Sequence, residues 1–424
     1  MKKSLLILLS VFVILLGAGI AGISIYDSVD EGRVPFVTVS VFGAELTPVK
    51  YGWHEPVFKG LAYKEFTSEN KNAALDIGEL SGADAEASVP GGYDAAYELI
   101  YEDVVVSAGS MDQLDEELYG DPGNYELLIL LEKLKEEYKE YGFFSFWIKF
   151  TVPEPEPEFF TGNTSLSQGE IFVVKLTNVP EGTTPAAETE LGLAIFTPRG
   201  GGEWFAAIPV GNTRAPGVYK VAVSDGKYKW ETEVNVGKYN FSTQNLIIDT
   251  TDPVISEANS PAAYQQYREK IPPLFDTYDN EIYWKGTFAM PAQGRISTQF
   301  GSIRYTNSDW SNPRYHWGAD IAADKGTPVS APGAGRVVFA EYLLNTGNTV
   351  AIEHGGGLKS YFYHMNALYV NAGDMVQKGD RIGEVGSTGY STGPHLHFEM
   401  RIGNQAINPL ILCDGSASLY DLDR

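Results

Sequence analysis

Turn residues divide most of this chain into short segments, and their spacing is the strongest constraint on its fold. Between Phe159 and Ile248, a segment rich in β-branched and aromatic residues recurs roughly every 10 residues, with turn formers between the segments. From Thr287 onward, similar segments such as "GRVVFAEY" and "NTVAIEHGGG" alternate with glycine turns. Segments this short, bounded by turn residues, form strands more readily than helices. The pattern predicts a mainly β, multidomain protein.

An uncharged apolar run follows Lys2 and Lys3 near the N-terminus. From Ser4 to Tyr26 the chain carries no charge, and about 20 apolar residues suffice to cross a bilayer as a helix. The small residues from Gly19 to Ala21 also suit cleavage of an export signal. Residues 1–33 are therefore predicted to be a single-pass transmembrane anchor that leaves the C-terminal part extracytoplasmic, or else a signal whose removal yields a secreted protein. In both cases the two lysines stay inside.

The region after this run combines β-type segments with a leucine pattern that indicates a helix. "FVTVSVFG" and "AYELIYEDVVVSAG" are strand-like. Between Ser110 and Tyr141, leucines at 127, 128, 131 and 134 recur at helical spacing with Glu and Lys between them, and Gly142 follows as a stop. We therefore expect an amphipathic helix within a β-rich domain.

Composition shifts place the other boundaries. "PEPEPE", from Pro153 to Glu158, is a short, stiff spacer. The strand rhythm after it resembles an immunoglobulin-like module without a disulfide, since Cys413 is the only cysteine of the chain. The predicted division is a β-rich domain with an added helix at 34–152, an immunoglobulin-like β-sandwich at 159–250, a connector with a helical turn or two at 251–286, an all-β domain of catalytic size at 287–412 and a tail at 413–424.

The charge distribution argues against nucleic acid as a partner. The formal net charge is −24, whereas binding to phosphates requires basic patches. From Gly286 to Leu412 there are nine Lys or Arg and nine Asp or Glu, so nearly all the excess acidity precedes this region. We interpret it as a solvated acidic surface.

Histidines are rare in this chain, and four of the six lie in strand or strand-entry positions of its C-terminal domain. His395 and His397 alternate within one predicted strand and so share a face. His316 precedes Asp320 by four residues, and Gly318 with the β-type "ADIAA" indicates a loop that enters a strand. His364 lies in the strand "YFYHMN". His and carboxylate ligands suit zinc, and a catalytic zinc has three protein ligands. The spacing alone leaves five candidate residues for the three ligand positions of a zinc ion.

Residues 291–410 resemble the M23 zinc endopeptidases, the lysostaphin-like or LytM-like group. The resemblance is carried by "HWGADIAADKGTPVSAPGAGRVV", "YFYHMN", "VNAGDMVQKGDRIGEVGSTGYSTGPHLHFE" and "NP" at the end. It implies that residues 287–412 form an antiparallel β-sheet peptidase domain. It also implies that His316, Asp320 and His397 bind zinc, while His364 and His395 assist the attacking water and the tetrahedral intermediate.

The resemblance implies a zinc metalloendopeptidase that hydrolyses peptide cross-links of peptidoglycan during cell-wall remodelling or lysis. The alternative is a catalytically silent, wall-associated scaffold or hydrolase activator. A further expectation is latency, in which the region before the domain blocks the cleft. Besides the peptidoglycan peptide and the membrane, the expected partners are cell-wall, divisome or sporulation proteins bound by the N-terminal domains. The sequence does not select the bond that is cut.

Overall fold

The structure is a computed structural model that describes residues 2–70, 74–80, 87–114 and 121–422, with backbone only for residues 2–9. The chain divides into two compact units, Met1–Pro155 and Glu156–Arg424. Strands dominate both units, so the predicted mainly β fold is confirmed.

The first unit begins with helix α1 (Lys2–Asp27) and continues as strands. A small sheet has the order β2-β1-β6, and a large one has the order β4-β3-β10-β9-β7-β8 with β5 parallel to β10. The core between them includes Val39, Leu127 and Phe146. The strands are β1 (Val39–Val41), β2 (Ala44–Leu46), β3 (Lys50–Val57), β4 (Ala62–Glu69), β5 (Leu75–Glu79), β6 (Ala87–Ser88), β7 (Asp94–Tyr101), β8 (Val104–Ser110), β9 (Gly123–Lys133) and β10 (Tyr141–Val152).

The helix predicted between Ser110 and Tyr141 is wrong for the described residues. A short 3-10 turn, Met111–Gln113, is followed by strand β9, and residues 115–120 lie outside the described part. Along β9 the buried side chains alternate, with Leu127, Ile129 and Leu131 facing the core. The spacing of these leucines fits a helical period as well as the alternation of a strand. The segment forms a strand because it pairs with β10 from Gly142↔Lys133 to Val152↔Gly123.

The second unit starts with a sandwich of two four-stranded sheets. Their orders are β11-β13-β16-β15 and β12-β18-β17-β14. Strand β13 is buried on both faces: Phe172 and Val174 face the sandwich core, whereas Ile171 and Val173 join the core of the C-terminal sheet. The strands are β11 (Glu158–Thr161), β12 (Ser165–Ser167), β13 (Ile171–Thr177), β14 (Ala186–Thr189), β15 (Phe196–Gly200), β16 (Glu203–Pro209), β17 (Gly217–Ser224) and β18 (Lys229–Gly237).

Because this core is shared, the predicted boundary near residue 250 falls inside one compact unit. The predicted connector contains two short helices, α2 (Pro253–Ala258) and α3 (Pro261–Lys270), each with an N-cap side chain and proline at its first turn. The predicted tail is packed rather than free, since Leu419 and Tyr420 are buried. The domain limits remain predictions.

The C-terminal part is built on an eight-stranded sheet of order β20-β23-β31-β27-β26-β25-β29, with β32 on β31. Two smaller sheets, β24-β30-β28 and β19-β21-β22, flank it, and helix α4 (Pro409–Asp414) follows. The strands are β19 (Thr243–Leu246), β20 (Arg295–Thr298), β21 (Ile303–Thr306), β22 (Asp309–Tyr315), β23 (Ala319–Ala322), β24 (Pro328–Ser330), β25 (Gly335–Leu343), β26 (Gly347–Glu353), β27 (Leu358–Met365), β28 (Ala367–Leu368), β29 (Met375–Val376), β30 (Arg381–Glu384), β31 (His395–Ile402) and β32 (Gln405–Ile407).

The β26–β27 turn is buried and contains His354, a histidine with a structural role. Its Nδ1 donates to the carbonyl oxygen of Ala334 at 2.8 Å, and its Nε2 accepts from the Ser360 hydroxyl at 2.8 Å. Burial lowers the pKa of His354 to about 4. The next residue, Gly355, has φ +99°, and a Cβ there would lie 1.8 Å from the carbonyl oxygen of Glu281. This turn therefore accepts only glycine where it meets the segment before β20.

We predict that Gly355→Ala lowers the free energy of unfolding by roughly 1–3 kcal/mol more than Gly373→Ala does, because only the first adds a backbone clash. Gly373 is the matched control: its φ is +100°, and no described atom lies within 4 Å of a Cβ there. Urea unfolding of both variants measures the difference. Equal losses would mean that the positive φ alone accounts for both.

The buried His354 also predicts a pH dependence of stability. Its pKa falls from 6.5 in the unfolded chain to about 4 in the folded one, so the unfolded state binds the proton first as the pH drops. Its contribution is complete above pH 6.5 and is lost towards pH 4, by on the order of 3 kcal/mol. His354→Gln should be less stable at neutral pH but lose stability less steeply between these limits. Parallel pH profiles of the melting temperature would contradict this.

Candidate active site

Antiparallel pairing of two central strands creates the candidate site. Strand β23 pairs with β31 so that Asp320 lies opposite His397 and Ala322 lies opposite His395. His316 lies on the loop just before β23, as Gly318 and the β-type "ADIAA" predicted. Gly318 lets this loop cross β31 closely, since a Cβ there would lie 2.3 Å from the carbonyl oxygen of Phe398.

Three buried ligand atoms converge at this point. Nε2 of His316 lies 3.0 Å from Oδ1 of Asp320 and 2.9 Å from Nδ1 of His397. The same Oδ1 and Nδ1 are 2.9 Å apart. Among the described residues, these three form the group of His, Cys, Asp or Glu side chains with the spacing of a metal site.

Hydrogen bonds behind the two imidazoles fix which nitrogen faces the centre without a proton. Nδ1 of His316 donates to the carbonyl oxygen of Gln299 at 3.0 Å. Nε2 of His397 faces Oε2 of Glu399 at 3.5 Å. The neutral rings therefore point lone pairs at each other and at a carboxylate. Three acceptors this close need a shared proton or a cation between them.

Electrostatics within the cluster agree with this reading. Burial lowers the pKa of His316 to about 4, against the opposing effect of Asp320. Burial also acts to lower the pKa of His397, but Asp320 and Glu399 outweigh it and raise that pKa to about 8. Although burial opposes it, contact with both imidazoles holds the pKa of Asp320 well below its usual range. The centre is thus a carboxylate with one imidazole that readily takes a positive charge.

The other two predicted histidines lie beside this centre. The ring centroids of His364 and His395 are 4.9 Å apart, and Nε2 of His395 is 3.8 Å from Oδ1 of Asp320. Nδ1 of His364 donates to the carbonyl oxygen of Thr388 at 2.9 Å, and Nδ1 of His395 donates to that of Gly393 at 2.8 Å. Each ring therefore keeps an unprotonated Nε2. Burial lowers both pKa values, that of His364 to about 3.

His364 also has an unusual backbone. Its φ is +63°, a conformation that costs a non-glycine residue energy and that clusters at functional sites. It lies beside an irregularity in the pairing of β26 with β27 between Asn348 and Val350. The structure thus brings together all five residues that the sequence singled out, while their individual roles remain predictions.

Sequence reasoning missed the side chains that surround the five. Arg304 forms an ion pair with Oδ2 of Asp320, and its Nε donates to Gln244 at 3.2 Å. Glu399 pairs with Arg401, and Tyr363 stacks on His397 with centroids 5.2 Å apart. The sequence does carry a signal for Glu399, because it lies on the same face of β31 as His395 and His397. The chain offers no comparable local signal for Gln244 or Arg304.

The centre opens into a cleft with a volume of about 380 Å³. Gln244, Leu246 and Ile248, from the strand before the connector helices and the residues that follow it, line one part. The segment from Tyr390 to His395 lines another. Asp320, His364 and His397 also line the cleft.

The comparison with known families agrees with the geometry. Residues 314–409 match Peptidase family M23. This part of the chain is an M23 peptidase domain. The predicted resemblance is therefore confirmed for the M23 domain, which contains all five of the histidine and aspartate positions above.

In each relative described here, the matching region is less than half of the protein. An uncharacterized metalloprotease of Buchnera aphidicola subsp. Baizongia pistaciae is 32% identical over 41% of this chain and 44% of its own length. The DD-carboxypeptidase/endopeptidase Mpg of Neisseria meningitidis serogroup B is 40% identical over 31% of this chain and 30% of its own. The peptidoglycan DD-endopeptidase ShyA of Vibrio cholerae serotype O1 is 39% identical over 22% of each. The chain spans less than half the length of these relatives.

Proposed function

We propose that this protein is a zinc-dependent endopeptidase that hydrolyses peptide cross-links of peptidoglycan. The observation that carries the proposal is the convergence of three potential ligand atoms, two imidazole nitrogens and one carboxylate oxygen, within 3.0 Å of one another. The M23 domain and its DD-endopeptidase relatives supply the substrate class.

The residues present fit zinc. The ligand set is two imidazoles and a carboxylate, the number and chemistry of a catalytic zinc site that keeps a position for water. His316, Asp320 and His397 would hold the ion. When bound, zinc supplies a Lewis acid for the scissile carbonyl and lowers the pKa of water.

The surrounding side chains orient these ligands. Arg304 occupies Oδ2 of Asp320, which leaves Oδ1 for the centre, and Gln244 holds the guanidinium in place. Gln299 and Glu399 fix the tautomers of the two ligand histidines. Such partners set ring orientation and ligand basicity.

His364 and His395 handle the proton. Their unprotonated Nε2 atoms border the cleft, so either can accept a proton from the attacking water. The imidazolium formed in this way then becomes a hydrogen-bond donor to the oxyanion of the tetrahedral intermediate. The side chain of His395 is 18% exposed, so its ring is accessible to water in the cleft.

The cleft and the N-terminal helix indicate how the protein binds its substrate and on which side of the membrane it does so. An open cleft beside strand edges suits an extended peptide, since edges pair with its backbone. One helix, with its candidate span at Ser10–Asp27, is long and apolar enough to cross a membrane. We propose that α1 anchors the protein with the M23 domain outside the cell, next to the wall; secretion after cleavage of a signal is the alternative. Wall or division proteins are the proposed partners of the domains before the M23 domain.

We predict that the zinc-loaded full chain, purified in detergent, releases cross-link peptides from peptidoglycan, as measured by mass spectrometry. His395→Ala and His364→Ala should lower kcat/KM roughly 10²–10⁴-fold, because each removes a proton-handling group, while zinc content stays unchanged. A chelator should abolish turnover and added zinc should restore it.

His54→Ala is the control for these variants, since His54 lies in strand β3 of the other compact unit and stacks on Tyr141. It should leave kcat/KM unchanged. A protein that takes up no zinc, or a His395→Ala variant as active as the parent, would favour the scaffold or activator alternative.

We further predict that Glu399→Gln weakens zinc binding roughly 10–100-fold, because His397 loses its anionic hydrogen-bond acceptor. Glu353→Gln is the matched control: it is an equally buried carboxylate with a lysine partner, Lys359, at 2.5 Å. Competition with a chromogenic chelator measures both affinities. If both variants bind zinc like the parent, Glu399 has only a structural role in the sheet.

A further inference from the structure

Two turns of the N-terminal unit expose apolar side chains at the same end of its large sheet. Strands β3 and β4 are joined by a turn after Val57, and β9 and β10 by a turn after Lys133. The pairing of Tyr141 with His54 places both turns at one end of the sheet. We define the turn surface as Phe58, Leu61, Leu134 and Tyr138, of which Leu61 is 85% and Leu134 is 65% exposed.

The two turns form one continuous surface. A Cβ on Gly60, which has φ +83°, would lie 2.7 Å from Cα of Tyr138, so the backbones of the two turns touch. Phe58, Lys59 and Tyr138 also have positive φ values. A positive φ at a non-glycine residue persists only where the surrounding structure stabilises it. In these turns it occurs together with exposed, large apolar side chains.

Helix α1 is attached beside this surface. The Phe58 ring lies against Gly22, where a Cβ would be 3.5 Å from the ring. Nζ of Lys64 donates to the carbonyl oxygens of Tyr26 at 3.3 Å, Asp27 at 3.5 Å and Val29 at 2.6 Å. A lysine on carbonyls at a helix C-terminus also favours the helix dipole. The end of α1 is therefore held at a defined place on the sheet.

The Phe58 ring contacts α1 within the apolar part of the helix. Gly22 lies inside the apolar candidate span Ser10–Asp27, five residues before the aspartate that ends it. At 1.5 Å per residue, the Phe58 ring meets the helix about 7 Å inside the apolar run. Groups that lie in a membrane interface are buried to about 5–10 Å. Tyr26 lies next to the end of this span, and tyrosine is enriched at membrane–water interfaces.

We propose that the turn surface inserts into the lipid interface beside α1, so that the N-terminal unit is seated on the membrane as well as tethered to it. We infer that lipid covers this surface, because Phe58 contacts α1 at a level that lies within the apolar candidate span of the helix. Two charge pairs border the surface, Lys139 with Glu136 at 2.5 Å and Lys133 with Glu140 at 2.5 Å, and the proposal assigns the insertion to the apolar side chains rather than to the charges of the turns. The proposal rests on the proposed membrane anchoring by α1 and is independent of the peptidase function.

The experiment places a polarity-sensitive nitrobenzoxadiazole label at single cysteines in the full chain, reconstituted in phosphatidylcholine vesicles. Cys413→Ser removes the native thiol, and the label is attached through Leu61→Cys or Leu134→Cys. Val104→Cys is the control: Val104 is 62% exposed and is the first residue of β8, next to the β7–β8 turn at the opposite end of the same sheet. Phosphatidylcholine with a nitroxide high on the acyl chain serves as the quencher.

Labels at positions 61 and 134 should emit at shorter wavelength than the label at 104 and lose most of their fluorescence to the nitroxide lipid, whereas the label at 104 should lose little. High salt should leave this pattern unchanged, because screening does not weaken apolar insertion. Equal quenching at 61 and 104 would overturn the proposal. Quenching that disappears in salt would also overturn it, since that result indicates electrostatic adsorption.

Discussion

The register between β23 and β31 is the constraint on which the candidate site depends. It sets Asp320 opposite His397 and so brings a carboxylate to a pair of imidazoles whose chain positions are 81 residues apart. A shift of one residue would turn these side chains to the opposite face, because side chains alternate along a strand. Leu396 and Phe398, the alternate residues of β31, are fully buried in the core, so the hydrophobic face and the polar centre enforce the same register.

The support behind that register extends beyond the M23 domain. Strand β13 of the sandwich contributes Ile171 and Val173 to the core beneath the catalytic sheet, and the C-terminal segment adds Leu419 and Tyr420. The Tyr420 hydroxyl accepts from the backbone of Phe288 at 3.2 Å and donates to that of Leu412 at 2.7 Å. Regions that the sequence separates into a sandwich, a domain and a tail thus share one packed interior.

The sequence predicted the chemistry of the centre better than its surroundings. His395 and His397 could be placed on one face because strand alternation is a local rule, and the glycine before Asp320 correctly indicated a loop that enters a strand. The predicted helix over the leucines is wrong because Leu127 and Leu131 satisfy both a helical and an alternating period. Only the pairing with strand β10 shows that the segment is a strand. Gln244 and Arg304 could not be found in this way, since their contact joins positions 60 residues apart through a parallel pairing of β19 with β21.

That parallel pairing has a consequence for how the cleft is built. The family match begins at residue 314, yet Gln244, Leu246 and Ile248 form part of the cleft wall from well before it. A chain cut at residue 314 would keep the five site residues but lose one wall of the cleft. All five histidine and aspartate positions of the candidate site lie in the M23 segment, whereas the walls of the cleft come from two separate stretches of chain, so the complete groove requires both stretches.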